Sequence, residues 1–375
     1  MQDLPFKPSK AGTIGVELEL QIVDNDSFKL SSWAKEILDH FDKGRLKPRI
    51  NHEITQGMIE INTSPHDDPD LVLEELLELQ HALLTFSGDK GFSFCGGGTH
   101  PFQDWHDQEI FPDERYERVL DKFQFLCKQA TIFGQHVHIG CATPNEAIYL
   151  THALAKYTPQ LIAMSASSPF YQSIDSGFYS SRTTQFNAFP ICGHMPNLKD
   201  WDAFLDYFFH LRELGLIESM KDVYWDVRPK PEFGTVEVRI LDTPLTLQKA
   251  ASIGAFIQAL SLYLIAEKPI HITDELYYLY GSNRFQASRY GLQGHSADGD
   301  KDKDQSIKED LIDTFSKIQP YSDSKGTGKL LKDLKSSIID EASDATLIRT
   351  LYSQYGSLPK VVEEQCKIWL KQGKV

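Results

Sequence analysis

Three segments of this chain set ionisable residues two apart inside apolar runs: Glu17 and Glu19 in GVELEL, His136 and His138 in QHVHIG, and Glu237 and Arg239 in TVEVRI. Successive side chains of a β-strand point to opposite faces. Each pair therefore shares one face, while Val16, Leu18, Val137, Ile139, Val236 and Val238 take the other. A sheet with one wet face alternates in the same way. Such a face draws freely on Thr, Lys, Ser and Gln, whereas these pairs select Glu, His and Arg. A fourth segment, NHEITQGMIEINTSPH, carries Glu53 and Glu60. Their odd spacing opposes them on a continuous strand, but a turn at Thr55-Gln56-Gly57 folds them onto adjacent strands with both carboxylates on one side.

If these faces converge, five carboxylates and one or two imidazoles meet around an arginine. Burying that many like charges without compensation is costly. Divalent cations resolve the conflict, and carboxylate oxygens with an occasional imidazole suit Mg²⁺ or Mn²⁺, whereas a shortage of thiolates near the pairs argues against zinc. Metals sharing carboxylates on an open sheet face are an arrangement for handling phosphate, and Arg239 would add a planar cationic fork. The same groups with water as the nucleophile would make a metal-dependent phosphohydrolase. Without turnover they would make a nucleotide- or metal-binding protein.

The elements that must carry these groups read as an α+β chain. Period-two patterns predict about six strands, in GTIGVELELQIVD, the arm near Lys47–Glu53, GMIEINTS, GFSFCGGG, TIFGQHVHIGCA and FGTVEVRILD. Helical periodicity marks LVLEELLELQHALLTF after Asp68-Pro69, RYERVLDKFQFLCKQA, EAIYLTHALAKY and WDAFLDYFFHLREL, the last closed by Gly215. Strict strand–helix alternation fails, which favours α+β over a doubly wound sheet. The whole chain, 1–375, reads as one catalytic domain with a mobile charged loop at 296–306 and peripheral C-terminal helices over 307–375. Asp298, Asp300, Asp302 and Glu309 fall at EF-hand positions, but Lys303 stands where the turn needs Gly and SNRFQASRYGLQG is a poor entering helix.

Other segments are ambiguous. Gly96-Gly97-Gly98 fits a tight turn or the approach of a ligand, and it is not a phosphate loop because no lysine follows. SSPFYQSIDSGFYSSRTTQF, with Arg182 near its end, reads as a long functional loop. For Arg228 in WDVRPKPEFG, bracing and substrate contact fit equally well. There is no G-x-S-x-G elbow, and Cys95 has no nearby base.

Composition narrows the function. With 53 acidic and 38 basic residues the formal charge is −15, which disfavours nucleic acid as a partner and leaves metal-bridged nucleotides possible. The uncharged run 250–266 falls short of the roughly 20 residues a bilayer needs and holds Ser252, Gln258 and Ser261, so it reads as a buried helix and not a membrane span. Five scattered cysteines without a C-x-x-C pair, and an N-terminus lacking an apolar h-region, indicate a cytoplasmic protein.

GVELEL, EITQGMIEINTSPH, GGGTHPF, GQHVHIG, SSPF followed by SR, YWDVRP with GTVEVRILD, and NRFQASRYGLQG occur in this order over roughly 12–294. Together they resemble the type-2 glutamate–cysteine ligase family, and among its members the YbdK-type carboxylate–amine ligases. The resemblance implies a glutamine synthetase-like fold, a curved and mainly antiparallel sheet forming a funnel flanked by helices. It further implies that Glu17, Glu19, Glu53, Glu60, His136 and Glu237 bind Mg²⁺, that His138 and Arg239 lie near the ATP phosphates, and that Arg182 and Arg239 act in catalysis. The implied reaction phosphorylates the side-chain carboxylate of glutamate with ATP and then lets an amine acceptor, cysteine in the named activity, displace phosphate. A homodimer is implied in the same way.

Overall fold

The computed structural model describes residues 4–129, 131–297, 305–323 and 328–371. The first half runs β1 (Ile14–Asp24), α1 (Ala34–Phe41), β2 (Ile50–His52), β3 (Met58–Asn62), α2 (Pro69–Ser87), β4 (Phe92–Cys95), α3 (Glu114–Phe123), α4 (Phe125–Lys128), β5 (Gly134–Gly140), α5 (Pro144–Lys156) and α6 (Thr158–Ser165). Short pieces follow: β6 (Phe170–Tyr171), β7 (Ile174–Asp175), α7 (Arg182–Gln185), β8 (Cys192–Gly193), α8 (Trp201–Glu213) and β9 (Tyr224–Trp225). Then come β10 (Val227–Lys230), β11 (Thr235–Asp242), α9 (Leu247–Glu267), α10 (Asp274–Tyr290), α11 (Ile307–Asp323), α12 (Gly328–Ile339), α13 (Asp344–Tyr355) and α14 (Leu358–Lys371).

The main sheet has the order β10-β11-β5-β1-β3-β2, with β4 also on β1, and every pair in it is antiparallel. Gln21 pairs with Met58 of β3 and with Cys95 of β4, so β4 and β5 follow one another along the same edge of β1. Ile14, Val16, Leu18 and Leu20 are fully buried on one face of β1, against a core that includes α2 and α9. Glu17 and Glu19 therefore take the opposite face, as the alternation predicts. The sheet has seven strands, not six. The additional one, β10, contains Pro229, which lacks a ladder donor; it is tolerated because β10 is the sheet edge.

The helix expected over 115–130 breaks at Gln124, whose φ of +49° separates α3 from α4. SNRFQASRYGLQG, read as a poor helix, supplies the second half of α10 and the turn after it. Its buried residues include Arg284 and Ser288, so hydropathy hides the inward face. The C-terminal helices are not peripheral: Ile307, Leu311, Phe315, Leu334, Ile338 and Trp369 join the main core. Asp298, Asp300, Asp302 and most of the 296–306 segment lie outside the described residues. Helix α9 is long and apolar enough to cross a membrane, but 72% of its most apolar window is buried inside the protein. The five cysteines form no disulfide.

Gly96 and Gly98 serve the fold. A Cβ on Gly96 would sit 2.0 Å from the Pro244 carbonyl oxygen, and one on Gly98 would sit 2.4 Å from Asp242 Cγ. The run thus lets this backbone approach the chain just after β11.

Two histidines far from the sheet's polar face set an acid limit. His152 Nε2 lies 2.8 Å from the Leu198 carbonyl oxygen, and burial pushes this imidazole down to about 4; burial does the same to His100. A folded value below the unfolded one means stability held above pH 6.5 and lost as pH falls through 4, at about 1.4 kcal/mol per pH unit for each group. Urea midpoints should drop across that window, and His152→Gln should flatten the slope by one group's share. An unchanged slope would show that His152 does not charge on unfolding.

Candidate active site

Antiparallel register brings the spaced pairs together. Glu17 lies opposite His136, Glu19 opposite Glu60, and His138 opposite Glu237, on three neighbouring strand pairings. The expected turn at 55–57 joins β2 to β3, and Glu53 follows β2 directly. His136 Nδ1 is 3.1 Å from Glu17 Oε2 and its Nε2 is 3.7 Å from Glu19 Oε1, while His138 Nε2 is 3.3 Å from Glu17 Oε1. His138 Nδ1 lies 2.9 Å from Thr235 Oγ1.

Three sets of potential ligand atoms fall within 4.8 Å of one another: Glu17, His138 and Glu237; Glu17, Glu60 and His136; and Glu19, Glu53 and Glu60. His136 Nε2 is buried and has no hydrogen-bond partner among the described residues, while His138 Nε2 faces Glu17 Oε1. An aromatic nitrogen left bare beside carboxylates is what a cation-binding cluster looks like without its cation. The donor set fits a hard divalent ion. Cys127 also lines the cavity, but its thiol donates to the Val119 carbonyl oxygen at 3.2 Å and burial pushes it up to about 11, so it is no thiolate ligand.

The electrostatics divide the acids into two groups. Burial raises Glu60 well above the usual carboxylate range, and the neighbouring Glu17 and Glu53 carboxylates push it further. Glu19 and Glu53 also shift up, chiefly through burial, against the pull of His136 and of Arg239 respectively. Burial opposes ionisation of Glu237 too, but Arg228, Arg239 and Lys230 together hold it well below the usual range. Glu17 is depressed likewise, because the charge of His138 and hydrogen bonds from both imidazoles outweigh burial. At one end of the cluster protein cations outweigh burial, and at the other burial and mutual repulsion outweigh them.

Arg228 is a brace. Its Nε donates to Glu237 Oε2 at 2.7 Å, and Nη1 donates to the carbonyls of Met220 at 2.9 Å and Val223 at 2.6 Å. Arg239 donates to Glu237 Oε1 from the cavity side, while its own backbone N–H donates to the Asp226 carbonyl oxygen at 2.8 Å. Arg182 is placed differently from Arg239. It is 2% exposed, is not among the cavity-lining residues, and donates from Nη1 and Nη2 to the Arg239 carbonyl oxygen at 3.3 Å each. It packs so closely on Gly134 that a Cβ there would lie 2.1 Å from Nη2, and the Gly134 N–H in turn donates to Glu19. Arg182 therefore bears on the site through Gly134, whose N–H holds Glu19, through the Arg239 carbonyl, and through its own charge near Glu19.

The serine-rich segment before Arg182 is tied to β11. Asp242 accepts hydrogen bonds from Ser167 N at 2.9 Å, Ser168 Oγ at 2.7 Å and Ser180 Oγ at 2.8 Å.

The cavity holding the acids measures about 330 Å³. Sequence reasoning missed Arg115, Lys221 and Lys230 on its wall, together with Tyr116 and Tyr224. Arg115 and Lys221 sit in helical turns whose patterns read as ordinary solvated surface, and only the fold turns them toward the acids.

A family model described as glutamate–cysteine ligase family 2 matches residues 13–364. Among the curated relatives, "Putative glutamate--cysteine ligase 2-1" of Legionella pneumophila (strain Corby) is 49% identical over 374 residues, covering 100% of this chain and 98% of its own. A relative in Herminiimonas arsenicoxydans, "Putative glutamate--cysteine ligase 2", is 43% identical over 367 residues, with coverage of 98% and 99%. Among solved structures, the glutamate–cysteine ligase of Francisella tularensis in complex with AMP superposes with a TM-score of 0.71 at 14% identity, covering 99% of this chain and 91% of that one. A bifunctional glutathione synthetase of Pasteurella multocida gives 0.70 at 14% identity, with coverage of 96% and 52%. At such identities these two establish a shared fold, whereas the family match spans nearly the whole sequence. The chain belongs to glutamate–cysteine ligase family 2.

Proposed function

We propose that this protein is an ATP- and Mg²⁺-dependent carboxylate–amine ligase that activates the side-chain carboxylate of glutamate and joins it to an amine, cysteine being the acceptor named for its relatives. The observation carrying this reading is the set of overlapping carboxylate–imidazole clusters, with His136 Nε2 buried and unpartnered, at a cavity whose wall also presents Arg115, Lys221 and Arg239. Glu17, Glu19, Glu53, Glu60, His136 and Glu237 would hold Mg²⁺, which supplies charge neutralisation to a phosphate chain that the acids alone would repel. His138 would lie near the nucleotide phosphates.

In the first step a glutamate carboxylate oxygen attacks the γ-phosphorus and ADP leaves, giving an acyl phosphate. In the second the amine nitrogen attacks the acyl carbon, and inorganic phosphate departs in place of an oxide that could not. Arg239 is the protein cation best placed to offset charge on the transferring group, because Glu237 and the Asp226 carbonyl hold it against the cavity. Arg182 positions the Arg239 backbone.

ADP should form only when glutamate and a suitable amine are both supplied, or slowly with glutamate alone. Phosphate-ester cleavage without an amine would favour the hydrolase reading instead. A screen of amines with mass detection of the amide product identifies the acceptor. Adding Mg²⁺ should also raise the melting temperature by several degrees, since saturation at a hundred times Kd adds about 2.7 kcal/mol. Glu19→Gln should remove most of that rise, and an undiminished rise would place the cation elsewhere. A cytoplasmic homodimer belongs to the same family-based reading, and light scattering tests the dimer.

A further inference from the structure

The motif NRFQASRYGLQG lines no part of the acidic cavity, yet Arg284 and Ser288 within it are buried. Arg284 is 8% exposed, and each nitrogen of its guanidinium is engaged. Nε donates to Asp226 Oδ2 at 2.8 Å, Nη1 to Asn187 Oδ1 at 2.6 Å and Nη2 to the Thr183 carbonyl oxygen at 2.8 Å. One turn on, Ser288 Oγ accepts from Thr183 Oγ1 at 2.8 Å, and the Ser288 carbonyl oxygen accepts from the N–H groups of Tyr179 and Ser180.

Both stretches that Arg284 grips belong to the site. Asp226 stands between β9 and β10; its N–H donates to the Gly193 carbonyl oxygen at 2.6 Å, and its own carbonyl accepts the Arg239 N–H at 2.8 Å. Thr183 and Asn187 flank Gln185, which forms part of the cavity wall together with Phe189. The stretch 183–193 is therefore held near its start by Arg284 and at its end by the residue with which Arg284 pairs. Tyr280, also on α10, donates to the same Asp226 Oδ2 at 2.7 Å, so the helix grips this carboxylate twice. A point charge would suffice to offset Asp226. Reaching two further acceptors on another stretch at the same time takes a rigid planar fork.

We infer that Arg284 is a positioning residue of the active site, which fixes the 183–193 wall against the β9–β10 corner that holds Arg239. Its effect on rate rests on the ligase reading, whereas the clamp itself rests on the hydrogen bonds alone. Misplacing a reacting group by about 1 Å costs on the order of a hundredfold in rate, even when the altered residue is far from the chemistry.

The test compares the parent with Arg284→Lys and Asn187→Ala, supplied with MgATP, glutamate and hydroxylamine, a small amine that captures an acyl phosphate as a hydroxamate. Arg284→Lys keeps a cation beside Asp226 but lacks the fork, so the fold should persist while kcat falls at least tenfold. KM for MgATP should stay within twofold of the parent, and the Mg²⁺-induced rise in melting temperature should be retained. Amide exchange in peptides spanning 183–193 should quicken at least tenfold. Asn187 is exposed, and Asn187→Ala removes only the acceptor of Nη1. It should lower kcat at least threefold and quicken the same peptides, and it decides the matter if Arg284→Lys does not fold. A brace with no bearing on the site would lower the melting temperature and leave the kcat of folded enzyme unchanged. The inference is overturned if the folded variant keeps parental exchange over 183–193, or parental kcat. A parent that forms no ADP from these three substrates would sink the ligase reading, and exchange alone would then decide the clamp.

Discussion

Glu237→Ala is expected to abolish turnover and to destabilise the fold by about 3–5 kcal/mol, the usual cost of removing one partner from a buried ion pair. The residue is 1% exposed and sits between two guanidiniums, Arg228 on its inner side and Arg239 on the cavity side. Taking the carboxylate away strands Arg228, which cannot turn to water because its other donors are fixed on Met220 and Val223. From the sequence alone, any member of an acidic cluster looks removable, since deleting charge relieves repulsion. The arginine on β10 reverses that expectation for this one acid. Urea unfolding and ADP release together measure the outcome, and a variant as stable as the parent would mean the pair contributes nothing to the fold.

Glu60→Gln should behave in the opposite way. Burial and the Glu17, Glu53 and Glu19 charges hold its carboxyl well above the usual range, with Asn62 as its hydrogen-bond partner at 2.9 Å. A folded value above the unfolded one favours the protonated form, so this group's contribution is fullest below about pH 4.5 and is lost as pH rises through the folded value. The neutral amide should therefore melt higher than the parent in metal-free buffer at pH 8, with the difference vanishing toward pH 4.5. Turnover should fall by roughly a hundredfold or more, because several kcal/mol of transition-state charge stabilisation goes with a cation ligand. A variant that lost stability at pH 8 would show that Glu60 is compensated by something other than a cation.

The strands and their polar face were legible because alternation is a local signal: Val16, Leu18 and Leu20 are buried as their spacing requires. That signal found Glu17, Glu19, His136 and Glu237, while Glu53 needed the turn at 55–57 to join Glu60, and all six line one cavity. What remained hidden was carried by residues whose partners are remote in sequence. Arg228 needs the carbonyls of 220 and 223 and a strand edge that tolerates Pro229. Arg182 looks like a substrate contact until the structure shows it 2% exposed, packed on Gly134 and donating to the Arg239 carbonyl oxygen. The inward face of α10 uses Arg284 to reach Asp226 at 2.8 Å, a pattern that a hydrophobic count passes over. The C-terminal helices seemed polar because each buries only a narrow stripe, such as Val362, Cys366 and Trp369 on α14.

The strand order has a consequence for birth of the chain on the ribosome. Four of the five clustered acids emerge within the first 60 residues, while the counter-charges Arg228 and Arg239 emerge some 170 residues later. At roughly 5–20 residues per second that is a wait on the order of ten to thirty seconds. Until β11 arrives, β5 has no neighbour on its outer edge and the nascent anions face one another with no arginine between them. The sheet order thus leaves the outer edge of β5, and Arg239 with it, to a strand that is made only after the first 230 residues.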